Sequence, residues 1–180
     1  MTDMPPKNIV LIGFMASGKS SIGRELSQIL SYPLIDTDNL VVQRAGKSIP
    51  QIFADEGEDC FRDHESAVLH ALIDQKAVRH IIATGGGIIE RPENRDLLRQ
   101  LGYVVWLIVS PSEILRRTSR NKERPLLNND NPEDTINTLL DHRTPIYKAS
   151  AHEEIETDNL TFPEIATGII ESGRYFFSHL

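Results

Sequence analysis

Gly13-Phe14-Met15-Ala16-Ser17-Gly18-Lys19-Ser20 fits the pattern G-x-x-x-x-G-K-[ST], and its residue types suit the holding of phosphate. Gly13 and Gly18 let the backbone curl until successive N–H groups point into one concavity, and the following helix adds the positive end of its dipole. Lys19 supplies a fixed charge and the Ser20 hydroxyl a ligand for Mg²⁺. Ala16, Ser17 and the following Ser21 belong to the same expected nucleotide contact. The context agrees. Asn8-Ile9-Val10-Leu11-Ile12 reads as a buried strand, and Ile22, Leu26, Ile29 and Leu30 recur at helical spacing. A strand, a glycine loop and an amphipathic helix in this order imply nucleotide binding, without saying which reaction follows.

A second layer of polar residues bears on that reaction. Asp36-Thr37-Asp38 leaves the end of a short strand at 32–35, where ligands bind in open α/β sheets. Carboxylates two residues apart can serve different partners, Asp36 a metal and Asp38 an acceptor hydroxyl. Taken alone, the motif fits a helix N-cap equally well. Phe61-Arg62-Asp63-His64-Glu65 places Arg62 and Glu65 one helical turn apart, as an anion site or as a surface ion pair. Gly85-Gly86-Gly87 marks a strand end where something approaches the backbone, or a flexible turn. Arg116, Arg117, Arg120, Lys122 and Arg124 crowd into a polar stretch, 116–130, that lacks apolar period. They suit a mobile lid closing over ATP phosphates. Arg143 follows His142 on a helix, either facing a ligand or solvated. None of the six histidines shows metal-ligand spacing with Cys or another His, so no zinc site is expected, and Cys60 and Trp106 read as core residues.

These residues must be positioned by alternating strands and helices. Strands are expected at 8–12, 32–35, 81–83, 104–109 and 154–156. Helices are expected after Lys19, after Asp38 with breaks near Gly46 and Gly57, and from Cys60 to about Asp74. Others should open at Pro92 with Gly102 as far cap, at the capping box Ser110–Glu113, at Pro132, and at a second capping box, Thr161 to Glu164. Such alternation predicts a parallel sheet covered on both faces. A chain of 180 residues with 39% hydrophobic and 25% charged residues suits one domain spanning 1–180. The formal charge of −7 argues against coating nucleic acid. A single cysteine, the absence of a signal-like N-terminus and the lack of a long apolar run lead to the expectation of a cytoplasmic protein off the membrane.

In order and spacing, G-F-M-A-S-G-K-S at 13–20, D-T-D at 36–38, F-R-D-H-E at 61–65, G-G-G at 85–87, R-P-L-L at 124–127 and R-T-P-I-Y at 143–147 resemble shikimate kinases, from about residue 8 to 170. The resemblance implies an α/β P-loop NTPase fold of three layers, with a five-stranded parallel sheet in the order 2-3-1-4-5. It also implies phosphoryl transfer from ATP to shikimate with Mg²⁺ in the chorismate pathway, by a protein expected to act as a monomer. The lid would span about 116–131 and a substrate-binding helical region about 37–65. Asp38, Arg62, Arg143 and the Gly85–Gly87 backbone would hold shikimate, with Phe53 and Phe61 walling its ring. Lys19, Asp38 and Arg124 would carry the catalysis, Arg124 reaching from the lid to the phosphates and Arg117 packing on adenine. Ser20 and Asp36 would hold the metal. A gluconate kinase, a binding protein without turnover and a nucleic-acid-binding P-loop protein are the alternatives. The first needs no arginine pair for a ring carboxylate, the second no intact Lys19, Asp38 and Arg124, and the third a broad basic face.

Overall fold

The computed structural model describes residues 7–118 and 131–178. The first strand, β1 (Asn8–Ile12), is fully buried. It leads through the glycine loop into α1 (Lys19–Leu30), β2 (Leu34–Asp36) and three helices, α2 (Thr37–Ala45), α3 (Ile49–Asp55) and α4 (Gly57–Asp74). Then come β3 (Ile81–Ala83), α5 (Pro92–Leu101), β4 (Gly102–Ile108), α6 (Pro111–Thr118), α7 (Pro132–Ser150), β5 (Glu153–Glu156) and α8 (Phe162–Ser178). The five strands are parallel in the order β2-β3-β1-β4-β5, as expected.

The period of two in an extended chain divides the core. Val10, Ile12, Val104 and Trp106 point to one face, where Val41, Ile52, Leu69, Leu98 and Tyr147 from the helices cover them. Ile9, Leu11, Tyr103, Val105 and Leu107 point to the other, against Ile22 and Leu26 of α1 and Ile165, Ala166 and Ile169 of α8. Both faces are covered, so the strand sequences are apolar throughout rather than alternating.

Strand order reverses at β1: the chain returns to one side of it for β2 and β3, and to the other for β4 and β5. The loops after β1, β2 and β3 therefore meet at the carboxyl edge of the sheet, where such a reversal opens a crevice. At the opposite edge Asn8, fully buried, ties β1 to the segments that lead into β3 and β4. Its side-chain amide donates to Ala77 O at 2.7 Å and Leu101 O at 2.9 Å, and its carbonyl accepts from the His80 amide at 2.9 Å.

Several boundaries differ from the sequence expectation. β2 starts later, at Leu34, because the 32–33 segment precedes the ladder with β3. β4 starts earlier, because Gly102 already pairs with Asn8. Gly102 does follow α5, but with φ 166° it is extended backbone and not a left-handed cap. The Ser110 capping box forms only by half. Ser110 Oγ accepts from the Glu113 amide, while the Glu113 carboxylate turns to Arg116 and Arg117. The Ser110 amide is taken by Asp158 instead. The Thr161–Glu164 box forms in both directions. Arg116 and Arg117 belong to α6 and not to a loop, and Arg120, Lys122 and Arg124 lie outside the described residues. Cys60 is not a core residue: it is partly exposed and its thiol bonds Glu56. Among the described residues no helix is long and apolar enough to cross a membrane.

Replacing Asn8 by alanine would leave the buried Leu101 carbonyl and the His80 amide without their partner. We expect a loss of about 2–3 kcal/mol, read as a fall of roughly 5–10 °C in the thermal midpoint by calorimetry. An unchanged midpoint would show that water substitutes for the amide.

Candidate active site

The loop after β1 closes on itself around Lys19, whose ammonium donates to Gly13 O and Phe14 O, both at 2.7 Å, and to Ser17 Oγ at 3.2 Å. The tight path needs glycine at Gly13. Its φ is 144°, and a Cβ there would stand 2.6 Å from Leu107 O of the neighbouring strand. Gly18, also at positive φ, opens α1, and no side chain caps that helix start. Its first amides therefore suit an anion, with the Lys19 charge beside them. From α6, Arg117 donates to Ala16 O at 2.9 Å and to Glu113 at 2.6 Å, bringing a guanidinium to the rim of this loop. Ser21 lies in the first turn of α1 and accepts a bond from Arg24.

Asp36 bears out the N-cap reading of D-T-D and leaves its second oxygen to the phosphate-loop side. One oxygen, Oδ1, caps α2 by accepting from the Asp38 and Asn39 amides at 3.0 and 3.3 Å. The other, Oδ2, accepts the Ser20 hydroxyl at 3.2 Å. Ser20 Oγ and Asp36 Oδ2 are thus paired hard oxygen donors beside the phosphate loop, a set that fits Mg²⁺.

Asp38 stands against the backbone of the glycine run. A Cβ on Gly85 would fall 2.5 Å from Asp38 Oδ1 and 3.0 Å from Glu65 Oε1, and a Cβ on Gly87 would fall 2.4 Å from an Arg62 nitrogen. Close approach of side chains, and not turn flexibility, is what keeps these positions free of side chains. The Gly85 amide donates to Thr37 Oγ1 at 3.1 Å, and Tyr147 donates its hydroxyl to Gly86 O. The glycine run is held from both sides.

Arg62 and Arg143 are 7% and 4% exposed, so the Arg62–Glu65 pair is not a surface one and Arg143 is not a solvated arginine. Buried guanidinium groups need compensation, and carboxylates supply it. Arg62 donates to Glu65 and to Glu58, each at 2.7 Å, and Arg143 Nε donates to Glu90 at 2.6 Å. The guanidinium groups also lie near aromatic rings, Arg62 5.2 Å from the Phe61 centroid and Arg143 5.8 Å from that of Phe14. Both arginines line one cavity of about 380 Å³ with Phe53, Glu58, Asp59, Glu90, Arg91 and Leu139. Phe61 is absent from this lining. It is buried behind Phe53, with ring centroids 4.8 Å apart, and so supports the wall that Phe53 presents.

Five lining residues escaped sequence reasoning: Glu58, Asp59, Glu90, Arg91 and Leu139. Glu58 carried a usable signal, since it precedes Arg62 by four positions on one helix. Glu90 and Arg91 carried none, because they meet Arg143, and Asp63 with the Asp59 carbonyl, only across the fold.

The charges shift as burial dictates. Burial pushes the Glu65 carboxyl up, the Arg62 charge and hydrogen bond oppose this, and neighbouring Asp38 adds to it, leaving Glu65 at about 7. Burial also raises Glu90, but the bond and charge of Arg143, with His142, outweigh it and hold that carboxyl below its usual range. The arrangement offers a phosphate cradle, a metal-suited oxygen pair, a carboxylate at the junction, and a cavity with two arginines for an anion.

Comparison with known proteins decides the lineage. A family model described as shikimate kinase matches residues 15–173. The chain is 42% identical over 169 residues to the shikimate kinase of Thioalkalivibrio sulfidiphilus, covering 94% of this chain and 86% of that one. The chain belongs to the shikimate kinase family. It is also 41% identical over 164 residues to the Acinetobacter baumannii shikimate kinase, covering 91% and 90% of the two chains. Among solved structures, a shikimate kinase from Acinetobacter baumannii in complex with shikimate superposes with a TM-score of 0.88 at 39% identity, covering 93% of each chain. The Aquifex aeolicus shikimate kinase gives 0.78 at 37% identity, covering 92% and 95%. A gluconokinase from Sinorhizobium meliloti, at 19% identity and a TM-score of 0.58, shares the fold alone.

The raised Glu65 pKa makes a prediction for this family member. A carboxyl that ionises near 7 in the folded state and near 4.5 unfolded stabilises the fold at low pH, and that contribution is lost as pH rises from about 4.5 through 7. Glu65→Gln removes the titration. The stability of the variant relative to the parent, measured by urea unfolding, should therefore rise across this window, and a pH-independent difference would contradict the burial assignment.

Proposed function

We propose that the protein transfers the γ-phosphoryl group of ATP to the 3-hydroxyl of shikimate, giving shikimate 3-phosphate in the chorismate route to aromatic amino acids. It works as a monomer in the cytoplasm. The observation that carries the acceptor is the convergence of two buried arginines, Arg62 and Arg143, on one cavity beside Phe53. A ring bearing hydroxyls and one carboxylate matches such a cavity, because guanidinium forks take a carboxylate in a way a lysine would not reproduce. Of the Arg143 N–H groups Glu90 takes that on Nε, and Arg62 gives one bond from each terminal nitrogen to Glu65 and Glu58, so N–H groups remain for a substrate carboxylate.

The phosphate end follows from the loop. Lys19 exchanges its bonds to Gly13 O and Phe14 O for the β- and γ-phosphates, and the amides at the start of α1 bind their oxygens. Ser20 and Asp36 would hold Mg²⁺, which when bound neutralises phosphate charge. Arg117, bonded to Ala16 O beside the loop, would pack on adenine, and the family resemblance gives Arg124 the task of offsetting charge on the transferred group. Asp38, packed on Gly85, accepts a hydrogen bond from the attacking hydroxyl and orients it. Position and charge stabilisation dominate phosphoryl transfer, so orientation is its main task.

ADP release measured by a coupled assay against shikimate, gluconate and nucleoside monophosphates tests the reading, which fails if shikimate is not the preferred acceptor. Within that assay Arg143→Ala should raise the shikimate KM roughly 10–100-fold with the ATP KM near normal. Equal damage to both would remove Arg143 from the carboxylate site. Asp38→Asn should lower kcat by about 10² or more, and parental turnover in that variant would remove Asp38 from the mechanism.

A further inference from the structure

Glu56, Cys60 and His64 recur every four residues along the start of α4, and their ligand atoms all lie within 4.8 Å of one another. The expectation that no histidine has metal-ligand spacing with a cysteine is thereby corrected. Cys60 and His64 are separated by one helical turn, and Glu56, in the junction before the helix, extends the stripe. At 100° per residue this stripe lies about 160° around the helix from Arg62, away from the cavity. We propose that Glu56, Cys60 and His64 form a binding site for one divalent transition metal of borderline softness, Zn²⁺ or Co²⁺.

The donor set is a thiolate, an imidazole and a carboxylate, the ligands such ions take, with the fourth tetrahedral position left to water. Tetrahedral bonds of these types put ligand atoms about 3.4–3.7 Å apart, so small side-chain rotations suffice. Two of the three donors already meet: Cys60 Sγ lies 3.0 Å from Glu56 Oε2. Lys47 bonds the other oxygen, Oε1, at 2.6 Å, so Oε2 is turned to the thiol while Lys47 keeps its grip. Lys47 also bonds Asp55, which limits its positive charge at the site. His64 forms no hydrogen bond with a described residue and is partly exposed, so its ring is available. Asp59 on the same helix adds negative charge that favours a cation, while the charge of Asp63 is met by Arg91. Mg²⁺ does not compete here, since it prefers oxygen ligands throughout.

Coordination breaks the Cys60 S–H bond, sends the proton to solvent and donates the thiolate pair to the metal, with no change of oxidation state. Because coordination releases that proton, binding should strengthen with pH. Because Glu56 is both the end cap of α3 and the start cap of α4, the metal would fasten the corner between the helices that carry Phe53 and Arg62.

The test is a titration of the full chain with Co²⁺ in excess Mg²⁺, following thiolate-to-cobalt charge-transfer absorption. A band that saturates at one equivalent, bleaches on adding Zn²⁺ and vanishes in Cys60→Ser is expected. His64→Gln and Glu56→Gln should each weaken Co²⁺ binding at least about tenfold, while His70→Gln, elsewhere on α4, leaves it unchanged. Zn²⁺ should also slow alkylation of the thiol in the unsubstituted protein, a readout that needs no variant. Absence of the band, equal affinity in the His64 and Glu56 variants, or alkylation indifferent to Zn²⁺ would each overturn the site.

Discussion

Placing β1 between β3 and β4, with helices over both faces, is the constraint on which the remaining structure depends. A strand with no wet face is apolar wherever a side chain lacks partners, and Asn8, its one polar residue, bonds the segments that lead into the strands on either side. Reversal of the strand order at β1 then brings the loops after β1, β2 and β3 to one edge. The phosphate loop, Asp36–Asp38 and Gly85–Gly87 are neighbours for that reason, although they are separated by up to 74 positions in the chain.

Electrostatics sets the second constraint. An acidic chain can hold an anion only where cations are gathered and desolvated, and the cavity does this with Arg62 and Arg143. Desolvated guanidinium groups would destabilise the empty protein, so Glu58, Glu65 and Glu90 compensate them. The balance leaves Glu65 close to neutral pH, where its proton is shared between the demands of burial and of Arg62. The same carboxylates fix the planes of the guanidinium groups, which is the pre-organisation an anion site needs.

Several side chains hold structure and chemistry at once. Asp36 caps a helix with one oxygen and meets Ser20 with the other. Glu56 closes α3, opens α4 and faces Cys60. Reading such residues as either a cap or a ligand imposes a choice the geometry does not require, because a carboxylate has two oxygens with separate partners.

Patterns that act within a turn or across one loop were legible in the sequence: the phosphate loop, the Arg62–Glu65 pair, the Thr161 cap, and the strands and sheet order that alternation and family resemblance implied. Their physics is local, so residue type and spacing suffice. Tertiary structure alone decided that Arg143 is buried on Glu90, that Arg91 joins the cavity, that Phe61 stands behind Phe53, and that Ser110 yields its amide to Asp158. Each of these depends on partners 8 to 53 positions away. Spacing cannot report such partners, because burial and the low dielectric that gives charge pairs their weight exist only once the helices have packed on the sheet.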